Sequence, residues 1–232
     1  MASVPSRQFL LIDGDDTLWE NNVYFEQAIE AFIDFLAHSS MSRDQVRAAL
    51  DEVERINVQV HGYGSASFTT NLHQTYERLA ERDLQPQDIE HVLQLGRRIA
   101  GQPVRLLPDV EETVRELANR HDLMLLTKGQ PEEQRLKIER SGLEAFFKAT
   151  AVVHEKDEQT YRAIVVERQL DPSRTWMIGN SPRSDINPAL AAGLSAVFIP
   201  HAHTWRLEKE EIVHADGRML TVHSFGDLRA HF

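Results

Sequence analysis

Two patterns of apolar and polar positions divide the chain into two kinds of segment. Between residues 21 and 101, apolar residues recur three and four positions apart, as at Ile29 and Phe32. This spacing is typical of amphipathic helices that bury one face. Ser42 has the residue type of a helix N-cap, and Pro86 suits the first turn of a later helix. The pattern therefore predicts a helical block with at least these two helix starts.

The rest of the chain alternates short apolar runs with helical patterns. The runs occupy residues 9–12, 123–126, 151–153, 176–178 and 196–199. Alternation of this kind indicates a parallel sheet with helices on both faces. We therefore expect an α/β fold: a Rossmann-like core domain of residues 1–20 and 102–232, with an α-helical cap domain of residues 21–101 inserted after the first strand.

Composition narrows the class of protein. With 41% hydrophobic residues in 232, the chain can bury a large core, and the absence of cysteine excludes disulfides, thiolate zinc sites and a thiol nucleophile. The net charge of −11 argues against nucleic acid as a partner, because phosphate backbones are bound by fields of Lys and Arg. No apolar segment approaches the length needed to span a membrane, so we expect a soluble, cytoplasmic protein without a membrane partner.

Polar and charged residues follow four of the predicted strands. These are Asp13 and Asp15, then Thr127 and Lys128, then Lys156, and finally Asn180 and Asp185. Ligands of parallel sheets bind in the crevice beyond the carboxyl ends of the strands, so we expect these residues to meet there. Crowded carboxylates repel one another, and a divalent cation with oxygen ligands would relieve that repulsion.

The order and spacing of these residues resemble the haloacid dehalogenase superfamily, whose members are mostly phosphate-ester hydrolases. Its first motif, Asp-x-Asp-x-Thr-Leu, is matched by residues 13–18; its second and third motifs are matched by Thr127 and Lys156; and its fourth, Gly-Asp-Ser with a later Asp, is matched by Gly179, Ser181 and Asp185. The helical block after the first motif resembles the family's cap. One position departs from the pattern. Asn180 stands where the family has Asp, which removes one negative charge but keeps an oxygen that can coordinate a hard cation.

The resemblance implies magnesium-dependent hydrolysis of a small phosphorylated metabolite, such as a sugar phosphate, phosphoglycolate or a nucleoside monophosphate. Asp13 would attack phosphorus and form an aspartyl-phosphate, and Asp15 would act as general acid and base. The implied phosphate-binding residues are Thr127, Lys128 and Lys156, with peptide N–H groups near Gly14 and Lys128; the implied Mg²⁺ ligands are Asp13, Asp15 through its backbone carbonyl, Asn180 and Asp185.

Several alternatives share the fold. A haloacid dehalogenase would use Asp13 on carbon without a metal; Asn180 is compatible with that chemistry, but such enzymes typically lack the second aspartate, here Asp15. A mutase and a binding or regulatory protein on the same scaffold also remain open. A phosphonate-cleaving enzyme needs a cap lysine, and residues 19–101 contain none.

Several other residues are expected to have structural or surface positions, or to contact the substrate. Asp16 is expected to be structural, and His201 and His203 are expected to lie at the surface. Four residues are candidates for substrate contacts: Trp19, Tyr24, His61 and Tyr63. For Trp19 and Tyr24, packing within the protein is an equal alternative.

Overall fold

The computed structural model describes residues 7–213 and 217–232, and its centre is a parallel sheet. The strands are β1 (Phe9–Ile12), β2 (Asp122–Lys128), β3 (Ala149–Val153), β4 (Thr175–Gly179), β5 (Ser195–Phe198) and β6 (Met219–Thr221). They lie in the order β3-β2-β1-β4-β5-β6, and every pairing is parallel. The predicted α/β fold class is confirmed, and the sixth strand is an addition to the five that the apolar runs indicated.

Eight α-helices accompany the sheet within the described residues. They are α1 (Asn22–Leu36), α2 (Arg43–His61), α3 (Ser65–Leu79), α4 (Pro86–Arg97), α5 (Val110–Arg120), α6 (Pro131–Ser141), α7 (Glu158–Glu167) and α8 (Asn187–Ala191). The predicted starts at Ser42 and Pro86 are confirmed: Ser42 forms a capping box with Gln45, and Pro86 is the first residue of α4. No helix in the described part of the chain combines the length and the apolar character needed to cross a bilayer.

The central strand is buried on both faces. Leu10 and Ile12 belong to one core cluster, which includes Val114 and Leu117 of α5, whereas Leu11 belongs to a cluster on the other face. Successive side chains of a strand point to opposite faces, so an uninterrupted apolar run is what a sheet covered on both sides requires.

The register brings several strand ends to one level. Ile12 lies opposite Leu125 of β2 and Ile178 of β4. The backbone N–H of Asp13 then donates to the carbonyl of Ile178 at 2.9 Å, which fixes the first residue beyond β1 against β4. The polar residues that follow these strands therefore begin from neighbouring positions at the same edge.

The chain divides into two compact units. One contains the described residues of Met1–Glu20 and Val104–Phe232, and the other is Asn21–Pro103; the expected boundary lay two residues earlier, after residue 101. The second unit consists of α1 to α4 around its own apolar core. Its service as a cap stays a prediction.

The residues singled out in the helical unit have clear local positions. α2 ends at His61 and α3 begins at Ser65, so Tyr63 lies in the short connection between these two helices. The hydroxyl of Tyr24 donates to the carbonyl of Pro103 at 3.1 Å. A role for these residues in binding substrate stays a prediction.

We predict that Gly96→Ala destabilises the helical unit although alanine favours helix. A Cβ at Gly96 would lie 2.3 Å from Oγ1 and 2.7 Å from Cα of Thr69, so α3 and α4 would have to move apart. Helix propensity favours alanine by about 1 kcal/mol, and overpacking costs about 1–3 kcal/mol. We expect a lower free energy of unfolding, measured by urea denaturation followed by circular dichroism.

Gly101→Ala is the matched control. A Cβ at Gly101 meets nothing within 4 Å, so its free energy of unfolding should change by less than about 0.5 kcal/mol. A Gly96→Ala protein as stable as the parent would show that this helix contact is looser than described.

Candidate active site

A buried ammonium group joins the first and fourth motifs. Lys156 Nζ donates to Oδ1 of Asp13 and, at 2.8 Å, to Oδ1 of Asp185. The three residues expose 3%, 6% and 1% of their surface, respectively. They follow β3, β1 and β4, so three strand ends contribute to one ion cluster.

The cluster carries one more carboxylate than ammonium. Burial raises the pKa of Asp13 to about 7; the positive charge of Lys156 opposes this rise, and the negative charge of Asp185 adds to it. Burial lowers the pKa of Lys156, but the carboxylates of Asp13 and Asp185 outweigh burial and raise it above its ordinary value. The ammonium therefore stays charged, and the site retains a surplus negative charge that a proton or a cation can neutralise.

The loop after β4 is folded tightly around Asp185. Its Oδ2 accepts a hydrogen bond from the backbone N–H of Ser181 at 2.9 Å. A Cβ at Gly179 would lie 2.2 Å from the same oxygen, so the close approach of strand and carboxylate requires glycine. A short π-helical turn (Pro182–Ile186) carries Asp185 back toward Lys156.

Asn180 and Thr17 complete the polar surroundings of Asp13. The Thr17 hydroxyl lies 3.0 Å from Oδ2 of Asp13 and 3.4 Å from Oδ1 of Asn180. The Asn180 amide N–H donates to Thr204 Oγ1 at 3.0 Å. This contact turns the amide oxygen of Asn180 toward Thr17, so that oxygen and the Asp13 carboxylate flank the same hydroxyl.

Asp15 is bound by residues of α6 rather than by the ion cluster. Its carboxylate accepts from Gln134 Nε2 at 2.8 Å and from Lys137 Nζ at 2.9 and 3.0 Å. Thr127 Oγ1 donates to Oε1 of Gln134 at 3.3 Å, so this glutamine links the second motif to Asp15. Trp19 is fully buried, and its indole N–H donates to Asp15 at 2.7 Å, which shows a packing position for this residue.

Comparison with known proteins places the chain in a family. A family model described as haloacid dehalogenase-like hydrolase matches residues 9–193. The chain belongs to the haloacid dehalogenase-like hydrolases. A haloacid dehalogenase-like family hydrolase from Xanthomonas campestris is 31% identical, with a TM-score of 0.82 over 97% of this chain and 94% of its own. A search of curated proteins found no match.

More distant structures share the fold and carry different activities in their names. A predicted phosphoglycolate phosphatase from Haemophilus somnus 129PT is 16% identical, with a TM-score of 0.65 and 97% of both chains covered. An L-2-haloacid dehalogenase from Xanthobacter autotrophicus is 15% identical, with a TM-score of 0.64 and 97% of both chains covered. At these identities the likeness concerns the fold alone, so hydrolase is the level of function that the comparisons reach.

The donor set around Asp13 fits a hard divalent cation. The carboxylates of Asp13 and Asp185 and the amide oxygen of Asn180 are oxygen donors, as Mg²⁺ prefers, and the backbone carbonyl of Asp15 is the predicted fourth. The surplus negative charge of the ion cluster is the structural observation that favours a cation there. The assignment of these four residues as ligands stays a prediction.

A second group of candidate metal ligands lies beside the same loop. Asp16, Glu20 and His201 are the one set of three or more such side chains, within residues 7–213 and 217–232, whose ligand atoms lie within 4.8 Å of one another. Asp16 Oδ1 lies 3.7 Å from His201 Nδ1, whereas Glu20 Oε2 lies 3.8 Å from Nε2. In their nearest contacts the two carboxylates face different nitrogens of the His201 ring.

The surface interpretation of His201 is wrong. Its ring is largely buried between Asp16 and Glu20, and burial lowers its pKa. His203 is exposed, as expected, and its ring centroid lies 5.9 Å from that of His201. Asp16 is buried with a φ of 60°, a left-handed conformation that glycine adopts more easily.

Lys128 has its side chain in a second ion cluster. Its ammonium donates to Glu155 at 3.0 Å, to Ser184 at 2.7 Å and to Glu208 at 2.8 Å. Binding of phosphate by Lys128 stays a prediction. The sequence patterns did not indicate Gln134, Lys137 or Glu208, although the first two lie three positions apart on one face of α6.

We predict opposite effects on stability for two substitutions in the ion cluster of the metal-free protein. Lys156→Met leaves the carboxylates of Asp13 and Asp185 buried without a cation, so the free energy of unfolding should fall by about 3–5 kcal/mol. Asp13→Asn removes the surplus charge, so at about pH 8 it should equal or exceed the parent in stability. Urea denaturation with a chelator present measures both.

The pH dependence checks the sign. The pKa of Asp13 is raised from 3.8 in the unfolded chain to about 7 in the folded protein. Protonated Asp13 therefore contributes its full stabilisation below about pH 3.8, and this stabilisation is lost as the pH rises to about 7. The stability advantage of Asp13→Asn over the parent should therefore be smaller at about pH 5 than at about pH 8.

Lys209→Met, at an exposed lysine, is the control, and its free energy of unfolding should stay within about 0.5 kcal/mol of the parent. A Lys156→Met protein as stable as the parent would contradict the buried ion cluster.

Proposed function

We propose that this hydrolase is a magnesium-dependent phosphatase that cleaves a small phosphomonoester through an aspartyl-phosphate on Asp13. The observation that carries the proposal is the shared ammonium of Lys156, which holds a buried aspartate directly beyond the central strand. A carboxylate fixed in this way can act as a nucleophile toward a group bound at the strand ends.

In the first step, a carboxylate oxygen of Asp13 forms a bond to phosphorus, and the bond from phosphorus to the leaving oxygen breaks. Lys156 and Thr127 are the side chains proposed to hold the phosphoryl oxygens, and the leaving oxygen takes a proton from Asp15. Bound Mg²⁺ would supply neutralisation of the phosphoryl charge, so that one anion can approach another.

In the second step, water attacks the phosphorus of the aspartyl-phosphate and releases Asp13. Asp15 now takes the proton of that water, which requires its ionised form. Lys137 and Gln134 of α6 donate hydrogen bonds to the Asp15 carboxylate, and these contacts support the proposed role as base. For the first step the carboxyl must carry a proton, and its ion pair with Lys137 must loosen.

Dehalogenation is the second candidate. Asn180 supports dehalogenation, because a site with one carboxylate fewer has less need of a metal ion to offset its negative charge. The Xanthobacter autotrophicus dehalogenase also shares the fold. Asp15 argues for the phosphatase. Its carboxylate is linked through Gln134 to Thr127, at the strand end where the phosphoryl group is proposed to bind, and displacement on carbon with loss of halide needs no such acid.

The substrate class and setting follow from charge and organisation. We propose a small phosphorylated metabolite in the cytoplasm rather than a nucleic acid, because a chain with a net charge of −11 lacks the basic field that a polyanion requires. The helical unit Asn21–Pro103 is proposed to serve as the cap that selects the substrate.

We predict that the parent releases inorganic phosphate from an aryl phosphate in the presence of Mg²⁺, and that Asp13→Asn lowers kcat by at least about a thousandfold. The amide cannot form the aspartyl-phosphate, so only the binding and electrostatic contributions would remain. Phosphate release with and without a chelator measures the effect.

Halide release from a 2-haloacid is assayed in parallel. Halide without phosphate would favour the dehalogenase, and equal phosphate release by parent and Asp13→Asn would remove Asp13 as nucleophile. If neither product forms from a broad panel of substrates, the binding or regulatory alternative gains. Asp83→Asn, at an exposed carboxylate in the loop before α4, should retain the parent rate.

We further predict that Asp15→Asn has an effect that depends on the leaving group. An alkoxide needs a proton to leave, whereas a nitrophenolate does not. General acid catalysis contributes about 10²–10⁴, so kcat/KM should fall by such a factor more for an alkyl phosphate than for a nitrophenyl phosphate. Equal losses for both esters would show that Asp15 serves another purpose.

A further inference from the structure

Glu208 is a buried carboxylate beyond the segment that the family model matches. It closes a short turn (Arg206–Glu208) after β5, whereas the match ends at residue 193. Only 8% of its surface is exposed. Burial raises the pKa of Glu208, but Lys128 and the hydroxyls of Ser181 and Ser184 outweigh burial, and the net shift is downward. Glu208 is therefore ionised in the protein interior.

The two oxygens of this carboxylate bind different loops. Oε1 accepts from Lys128, which ends β2, at 2.8 Å. Oε2 accepts from the hydroxyls of Ser181, at 2.5 Å, and Ser184, both in the loop after β4. The Ser181 hydroxyl also accepts from the backbone N–H of Ser184 at 2.9 Å, so Glu208 orients the oxygen that starts the π-helical turn.

Each partner in this cluster is the chain neighbour of a residue proposed to act in catalysis. Lys128 follows Thr127, Ser181 follows Asn180, and Ser184 precedes Asp185; Lys128 also binds Glu155, which precedes Lys156. One buried carboxylate and one ammonium thus tie together the loops after β2, β3 and β4. The backbone positions of the residues proposed to act in catalysis depend on those loops, and the side-chain contacts described for Glu208 are to Lys128, Ser181 and Ser184 rather than to Asp13 or Asp15.

We propose that Glu208 is a positioning residue, which sets the placement of Asp185 and Asn180 relative to Asp13 by clamping the loop after β4 to the end of β2. The effect of Glu208 on catalysis rests on the proposed phosphatase function. Its effect on the order of the loop after β4 is independent of that function. Removal of the negative charge of Glu208 leaves the ammonium of Lys128 with one carboxylate fewer and loosens the loop after β4. The fold of the central strands is retained.

Glu208→Gln tests the inference, because it changes one oxygen to an amide nitrogen at nearly constant volume. In the full chain, kcat for an aryl phosphate should fall by about tenfold to a hundredfold, since misplacement by about 1 Å costs that much, with KM within about threefold. Hydrogen exchange should accelerate in peptides covering residues 180–186, with peptides covering β1 unchanged. The second measurement separates local loosening from a general loss of stability.

Glu211→Gln is the matched control, at an exposed position of the same segment, and should leave both kcat and exchange as in the parent. If Glu208→Gln fails to fold, Ser184→Ala removes one hydroxyl of the clamp and should shift both readouts in the same direction by a smaller factor. Unchanged exchange at residues 180–186, or equal acceleration at β1, would overturn the inference. If the parent has no phosphatase activity, the proposed function fails, and the exchange experiment alone decides whether Glu208 orders the loop.

Discussion

A single buried ammonium shared by two carboxylates is the constraint on which the site depends. For Lys156 to reach both Asp13 and Asp185, β1, β3 and β4 must deliver their ends to one place, and the parallel register does so. The same requirement explains why Gly179 has no side chain, because Asp185 occupies the space that a Cβ would need. The backbone at these strand ends brings opposite charges into contact, and without that contact their burial would be strongly destabilising.

The second ion cluster repeats this arrangement. Lys128, like Lys156, has one ammonium in contact with two carboxylates, here Glu155 and Glu208. The two clusters are chain neighbours at two strand ends, because Glu155 precedes Lys156 after β3 and Ser184 precedes Asp185 after β4. A displacement in one cluster therefore changes the electrostatic surroundings of the other. Both carry surplus negative charge. On the proposed function, an anionic substrate is therefore bound well only together with a cation, which makes metal and substrate binding thermodynamically linked.

The sequence was informative where chemistry follows a strong local pattern. The strand at residues 9–12 could be bounded correctly because its four apolar residues are followed directly by Asp13. The start of α2 could be predicted because Ser42 has the residue type of an N-cap. β6 was missed, since three residues with two apolar side chains form too short a run to stand out. The partners of Asp15 were missed for another reason: Gln134 and Lys137 lie about 120 positions away, and no local pattern encodes that contact. His201 was misplaced because its burial depends on a loop returning to the first motif.

The replacement at Asn180 gains a physical reason from the charge balance. An aspartate there would place a third carboxylate beside Asp13 and Asp185, with Lys156 as the one ammonium that contacts the latter two in the described chain. The amide limits the surplus to one charge and donates to Thr204, which a carboxylate cannot do. Its oxygen meanwhile remains directed toward the Thr17 hydroxyl, which also contacts Asp13. On the proposed function, the departure from the family pattern lowers the charge available to a metal while it keeps the oxygen donor. By the same charge balance, an amide at this position should destabilise the metal-free site less than a third carboxylate would.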